Sequence, residues 1–224
     1  EDLALCAPDN RRLAELFKEY GFTTLMKELT SEATLATDQY RTILDAAEFG
    51  ALMERLEAAP VFAVDTETTS LLPMEARLVG ISLAVCGGEA YYLPISHLEG
   101  QNLPLALVQD RLGPLLADAT RPKVGHNANY DLMVLAEHGL PVHGLVSDTM
   151  LAAWLVGEKT LGLKPLAFGR FGVEMTDIST LLGTGAKALT MDRVSVEKAA
   201  PYAAADADMT ARLRDELEPQ LRAD

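Results

Sequence analysis

Three β-rich segments follow one another between Val61 and Ile95: VFAVDTET, RLVGISLAV and AYYLPI. Each is short, apolar and bounded by turn formers, and Gly87-Gly88 marks a hairpin between the last two. The result is a strand meander. Ahead of it, YRTILD from Tyr40 reads as a short strand, and AAEFGALMERLEAAP as an amphipathic helix that ends before Pro60. Behind it come a helix in LALVQDRLGPLLADA, a short strand in PKVGHN and a mostly helical remainder. At the N-terminus, APDNRRLAELFKEYGFTTLMKEL predicts one or two short helices, with Pro8 near a start and Gly21 as a stop, and TSEATLATDQY has the low periodicity of a linker. The chain therefore divides into a helical segment and linker, 1–37, and one domain, 38–224.

Composition narrows the classes. Of 224 residues, 49% are hydrophobic, enough to fill a core. No apolar run is long enough to span a bilayer, and EDLALCAPDNRR lacks a basic region leading into an apolar one, so a cytoplasmic protein with no membrane association is expected. Cys6 and Cys86 are too few for a disulfide framework, and neither they nor His97, His126, His138 and His143 show zinc-ligand spacing. A net charge of −14 argues against gripping duplex nucleic acid by neutralising many phosphates. A nucleic-acid enzyme of this charge would hold only a few nucleotides, or borrow a basic surface from another domain.

The first meander strand runs into Asp65-Thr66-Glu67. Residues i and i+2 of a strand share a face, so the two carboxylates lie side by side. At about 4 Å and an effective dielectric near 20, they repel by roughly 4 kcal/mol. A shared proton, a Lys or Arg, or a metal cation must offset that; all-oxygen ligands favour a hard ion such as Mg²⁺ or Mn²⁺. Taken alone, an Asp-x-Glu is more often a pair of solvated loop acids.

Two downstream patterns change that balance. KVGHNANYDLMVLAEHGL turns at Gly125-His126-Asn127 and opens a helix whose first turns carry Tyr130 and Asp131. PYAAADADMTARL sets Tyr202 and Asp206 four apart, hence on one helical face. Singly, an Asp in a first turn is a helix-dipole partner and Tyr-x-x-x-Asp a local hydrogen bond.

Together the ordered set Asp-x-Glu, Asn-x-x-x-Asp and Tyr-x-x-x-Asp resembles the three motifs of the DEDD-type 3′-to-5′ exonucleases, in the subclass with a tyrosine in the third motif. ILDAAEFGALMERLEAAPVFAVDTETTSL, LVGISLAV, AYYLPISH, KVGHNANYDLMVLAEHGL, SDTMLAAWLV and PYAAADADMTARL are similar, in the same order, to the proofreading domains of bacterial DNA polymerase I. The resemblance covers about Asp38 to the C-terminus.

The resemblance implies an α/β fold, ribonuclease H-like, with a mixed, mainly antiparallel sheet of about five strands flanked by helices. It implies removal of 5′ nucleotides from a single-stranded or frayed DNA 3′ terminus with two divalent metal ions, Mg²⁺ or Mn²⁺. Asp65 would bridge both ions, Glu67 and Asp206 would complete the site of the ion that activates water, and Asp131 would serve the second. Tyr202 would hold the attacking water, its phenol being a better orienter than base. Leu71 would wedge near the terminal base, Asn127 and Tyr130 would contact the last nucleotides, and Thr66 would offer its backbone or hydroxyl to the 3′ end. Structural alternatives are core packing for Leu71, a helix cap for Asn127 and half-buried packing for Tyr130. The partner would be the polymerase domain of the same longer chain, and the location the nucleoid.

Some positions depart from the family pattern: His126, Asn129 and Ala205 stand where an amide, a Lys and a Glu are common. Arg170, Met175 and Lys187 fall where the family has a substrate-side stretch, although a solvated loop accounts for each as well. Trp154, in MLAAWLV, reads as core, and Asp208, two residues beyond Asp206, as surface. Two other readings remain: an RNA-trimming exonuclease similar to ribonuclease D, and a non-catalytic scaffold of a polymerase. The full set of acids separates the enzyme from the scaffold, and a comparison of DNA with RNA trimming separates the two enzymes.

Overall fold

The computed structural model describes residues 37–223 together with 9, 12, 13, 16, 17, 20, 22 and 25. The expected N-terminal helices lie mostly outside the described residues, although 12, 13, 16, 17 and 25 are helical. Among the described residues six strands form one sheet: β1 (Tyr40–Thr42), β2 (Phe62–Thr68), β3 (Leu78–Cys86), β4 (Glu89–Pro94), β5 (Lys123–Gly125) and β6 (Leu145–Asp148), in the order β1-β4-β3-β2-β5-β6. The ladders β2–β3 and β3–β4 are antiparallel and long; β1–β4, β2–β5 and β5–β6 are parallel and short. The sheet is mixed, as expected, with one strand more than the five read from sequence. Four residues, Leu-Val-Ser-Asp, carry too little alternation to announce β6, and its Asp148 already caps the following helix through Met150 and Leu151.

Among the described residues from 37 onward, eight α-helices accompany the sheet: α1 (Ala46–Ala58), α2 (Leu105–Arg111), α3 (Gly113–Ala117), α4 (Asn129–Glu137), α5 (Thr149–Leu155), α6 (Leu163–Phe171), α7 (Ile178–Leu182) and α8 (Val196–Ala223). LALVQDRLGPLLADA, read as one helix, is two, because Pro114 has no N–H to continue the ladder and starts α3 instead. Asp45 caps α1 by accepting from Ala47 and Glu48, while the Glu48 carboxylate accepts from Leu44 N. That cap aims Phe49, Leu52 and Leu56 at the sheet, where they join Phe62, Val64, Ile81, Leu83 and Leu135 in the larger core. Burying each such side chain stabilises by roughly 2 kcal/mol.

Alternation along β2 sends Ala63 to the opposite face. There Ala63, Ala84 and Ala90 meet Ala204 and Ala207 of α8, and with methyl groups on both sides the 28-residue helix lies close against the strands. This close approach brings the third motif to the end of β2. It also corrects the reading of Asp208 as surface. Pointing away from Asp206 means pointing at the sheet edge, where Asp208 is fully buried, accepts from Tyr40 Oη at 2.6 Å and Gly88 N at 2.5 Å, and pairs with Arg212. Gly88, at φ 97°, makes the β3–β4 turn that presents that N–H.

Trp154 is not core: it is 63% exposed, beside exposed Leu151 and Leu155. The small Ala152 and Ala153, with Thr149, are the residues of α5 that face inward. Among the described residues no helix is long and apolar enough to cross a membrane.

Candidate active site

Asp65 and Glu67 follow Ala63 on the α8 face of β2, and Asp206 reaches them from α8. Carboxylate oxygens of the three lie within 4.8 Å of one another. β3 supports the pair from behind. Ser82, opposite Asp65, donates to its Oδ2 at 3.1 Å. Gly80 stands opposite Glu67, and a Cβ there would lie 2.1 Å from Tyr92 Oη. The missing side chain makes room for Tyr92, whose hydroxyl meets His97 Nε2 at 2.7 Å, while His97 Nδ1 meets the Val194 carbonyl at 2.8 Å. A register shift between Glu67 and Thr68 ends the regular ladder just past the acids.

Asp131 arrives from the other side of the strand. β5 pairs with β2 only through Phe62 and Ala63, which leaves the Thr66 N–H further along without a strand partner. Asp131, in the first turn of α4, takes it: Oδ1 accepts from Thr66 N at 3.0 Å and Thr66 Oγ1 at 2.5 Å. Asp131 is close enough to raise both Asp65 and Glu67 electrostatically, although it stands outside the three-residue cluster.

The four acids around one strand end are all shifted toward the protonated form. Burial first, then mutual repulsion, lifts Asp65 and Glu67 well above the ordinary carboxylate range. Burial raises Asp131 to about 6 against the pull of the Thr66 bonds. Burial raises Asp206 to about 7, with the Lys164 ammonium and the neighbouring Tyr202 hydroxyl opposing.

The donor set fits a divalent cation. Every ligand on offer is a carboxylate oxygen, and Asp206 Oδ1 is buried with no hydrogen-bond partner. A carboxylate oxygen left unpaired among three other acids asks for a positive charge. The structure thus supports divalent-metal binding by the acidic cluster.

Tyr202 is buried one helical turn before Asp206, and the acids around it together with burial raise its phenol far from deprotonation. Lys164, which the sequence reading passed over, donates to Tyr202 Oη at 3.1 Å, with its ammonium 4.5 Å from the ring centroid. LGLKPLA carries no pattern that marks this lysine; only the fold brings α6 over α8. Ser82 was equally hidden, because finding it requires the β2–β3 register.

Among the expected substrate residues, Leu71 is 92% exposed on the loop after β2, which removes core packing as its explanation. The Tyr130 hydroxyl bonds to the Ser70 carbonyl and, at 2.5 Å, to Thr68 Oγ1, so it anchors the loop that presents Leu71. Asn127 is exposed and left-handed, at φ 54°; the N-cap of α4 is Ala128, so Asn127 is not that cap. Both N–H groups of Asn127 and Ala128 are held by Asp148. Both donors of Thr66 are engaged by Asp131. His126 turns to Thr149 Oγ1 at 2.8 Å, away from the acids. Met175 is buried in the cluster beneath α8, and Arg170 pairs with Glu158, so both are structural, whereas Lys187 is exposed.

The family model described as 3′-5′ exonuclease matches residues 40–222. DNA polymerase I of Chloroflexus aurantiacus is 44% identical over 81% of this chain and 19% of its own length. DNA polymerase I of Pseudomonas aeruginosa is 36% identical over 96% of this chain and 26% of its own. The chain spans about a fifth to about a quarter of the length of these relatives. Escherichia coli RNase D, an exoribonuclease involved in structured RNA processing, superposes with a TM-score of 0.61 at 23% identity, over 82% of this chain and 45% of its own, a likeness of fold.

Proposed function

The chain belongs to the 3′-5′ exonuclease family, and from that premise we propose that residues 38–224 are the proofreading part of a DNA polymerase I, removing 5′ nucleotides from a single-stranded or frayed DNA 3′ end. One observation carries the reading: Asp65, Glu67 and Asp206 converge within 4.8 Å, with Tyr202 beside them and Asp131 on the adjoining edge of the strand.

Hydrolysis of a phosphodiester requires an aligned water, compensation of charge on the phosphoryl oxygens and stabilisation of the departing 3′ oxygen. Two divalent ions, Mg²⁺ or Mn²⁺, supply activation and charge compensation when bound. Asp65 would hold both, Glu67 and Asp206 one, and Asp131 the other. Tyr202 would orient the attacking water through its hydroxyl, a phenol with an ordinary pKa near 10 being a better orienter than base. Leu71 would wedge beside the terminal base, with Thr66, Asn127 and Tyr130 lining the path of the last nucleotides. The net charge of −14 suits a site that admits a few nucleotides while a polymerase domain of the longer chain holds the duplex, in the cytoplasm.

The test is trimming of labelled single-stranded DNA with Mg²⁺ or Mn²⁺. Wild type should release mononucleotides and Asp65→Ala should not; equal cleavage by both rejects the assignment. A wild type that trims RNA and spares DNA would move the chain to the RNA-processing class.

A further inference from the structure

Lys164 occupies an electrostatically poor place. It is the second residue of α6, where the helix dipole is positive and favours an acid, and Gly162 caps that end without a side-chain bond. Its ammonium instead lies over the Tyr202 ring and donates to the Tyr202 hydroxyl, while its charge acts on Glu67, Asp206 and Asp177. We propose that Lys164 is a positioning residue for the hydrolytic step, fixing the Tyr202 hydroxyl through a one-way hydrogen bond.

An ammonium has three donors and no acceptor, whereas a phenol has one donor and can accept. Once Lys164 Nζ occupies an acceptor lobe of Tyr202 Oη, the phenolic hydrogen cannot point back at Lys164. It is directed toward the acids, on the side of Asp206, which stands four residues further along the same helix. The cation over the ring face also fixes the ring's tilt. Without Lys164 the hydroxyl would be free to rotate, and the orientation of the water it holds would be lost. The inference rests on the reading of Tyr202 as the water-holding residue.

A double-mutant cycle in the full-length protein tests it, using Lys164→Met, which keeps the stem and deletes the charge, together with Lys164→Arg and Tyr202→Phe. Lys164→Met should lower kcat about tenfold with KM little changed, the size expected for a modest misplacement of a reacting group. Lys164→Arg should recover most of the loss. In the Tyr202→Phe background the same Met substitution should change kcat by less than about twofold, because it has no hydroxyl left to orient. Calorimetric titration should show Lys164→Met binding Mn²⁺ at least as tightly as wild type. Wild-type kcat in Lys164→Met, an equal fold loss in both backgrounds, or a loss of Mn²⁺ binding would each overturn the inference while the exonuclease reading stood. A wild type that does not trim DNA would remove that reading, and this inference with it.

Discussion

Thr66 gives Asp131 both of its donors, the backbone N–H at 3.0 Å and the hydroxyl at 2.5 Å, onto the same oxygen. One oxygen of Asp131 is thereby fixed by the chain. Thr66→Val keeps the shape and the amide but deletes the hydroxyl. A hydrogen bond to a charged acceptor is worth about 1.5 to 3 kcal/mol, so the variant should lose about 2 kcal/mol in denaturant unfolding at about pH 8. Asp131 titrates near 6, so the loss should shrink below about pH 5, where the carboxyl is protonated. A pH-independent loss would mean that the hydroxyl acts by packing.

The raised carboxylates give metal-free protein a characteristic pH response. Asp206 rises to about 7 and Asp131 to about 6 on folding, so between about pH 4 and 7 the folded state binds more protons than the unfolded. Stability then falls as pH rises through that window and is fully present below it. In chelator, the melting temperature should drop across the window. Asp206→Asn, which carries no proton to lose, should flatten the slope and be the more stable protein at about pH 8. Mn²⁺ should raise wild type most at high pH, because it replaces protons that have already left. A melting curve that is equally steep in Asp206→Asn would place the titration elsewhere.

The meander, α1, the split between apolar and acidic ends of β2 and the Tyr202–Asp206 face were legible because each rests on a local period of two or 3.6 residues. What escaped was set by contacts distant in sequence. Asp208 looked like surface because the helical period fixes angles but not what lies at each angle; the β3–β4 turn happens to lie there. Trp154 looked like core because MLAAWLV has no polar residue to mark an outer face, and the alanines proved small enough to pack inward. Lys164, 38 residues before its phenol, follows from neither period nor motif.

Gly80 is expected to tolerate no side chain. An alanine Cβ would lie 2.1 Å from Tyr92 Oη and 2.3 Å from Cζ, and Tyr92 cannot retreat because its hydroxyl is held by buried His97. Overpacking of this kind costs about 1 to 3 kcal/mol, and the fixed ring puts Gly80→Ala at about 3. Since Gly80 pairs with Glu67, nuclease activity should fall as well as stability. Gly80→Ala combined with Tyr92→Phe, which removes the nearest atom, should recover part of the stability; no recovery would show that the strain lies in the backbone.

Asp206 and Asp208 are two residues apart on α8, and their removal should have opposite effects. Asp206 is a charge among charges, with one oxygen unpartnered. Asp208 has no exposed side-chain surface and three donors: Tyr40 Oη, Gly88 N and Arg212. It ties β1 and the β3–β4 turn to the helix that carries the third motif. Removing one partner of a buried pair costs about 3 to 5 kcal/mol, and since Arg212 keeps some contact with water, Asp208→Ala belongs at the lower end, about 3. Chemical denaturation should show that loss with or without divalent ions, whereas Asp206→Ala should be stabilised in chelator and fail to gain from Mn²⁺. At a temperature where both are folded, Asp208→Ala should trim DNA within about twofold of wild type, because its contacts are to the scaffold, while Asp206→Ala should be inactive at the level of a lost catalytic group, about 100-fold or more down. An Asp208→Ala protein that is stable and inactive would place that acid in the chemistry rather than in the frame.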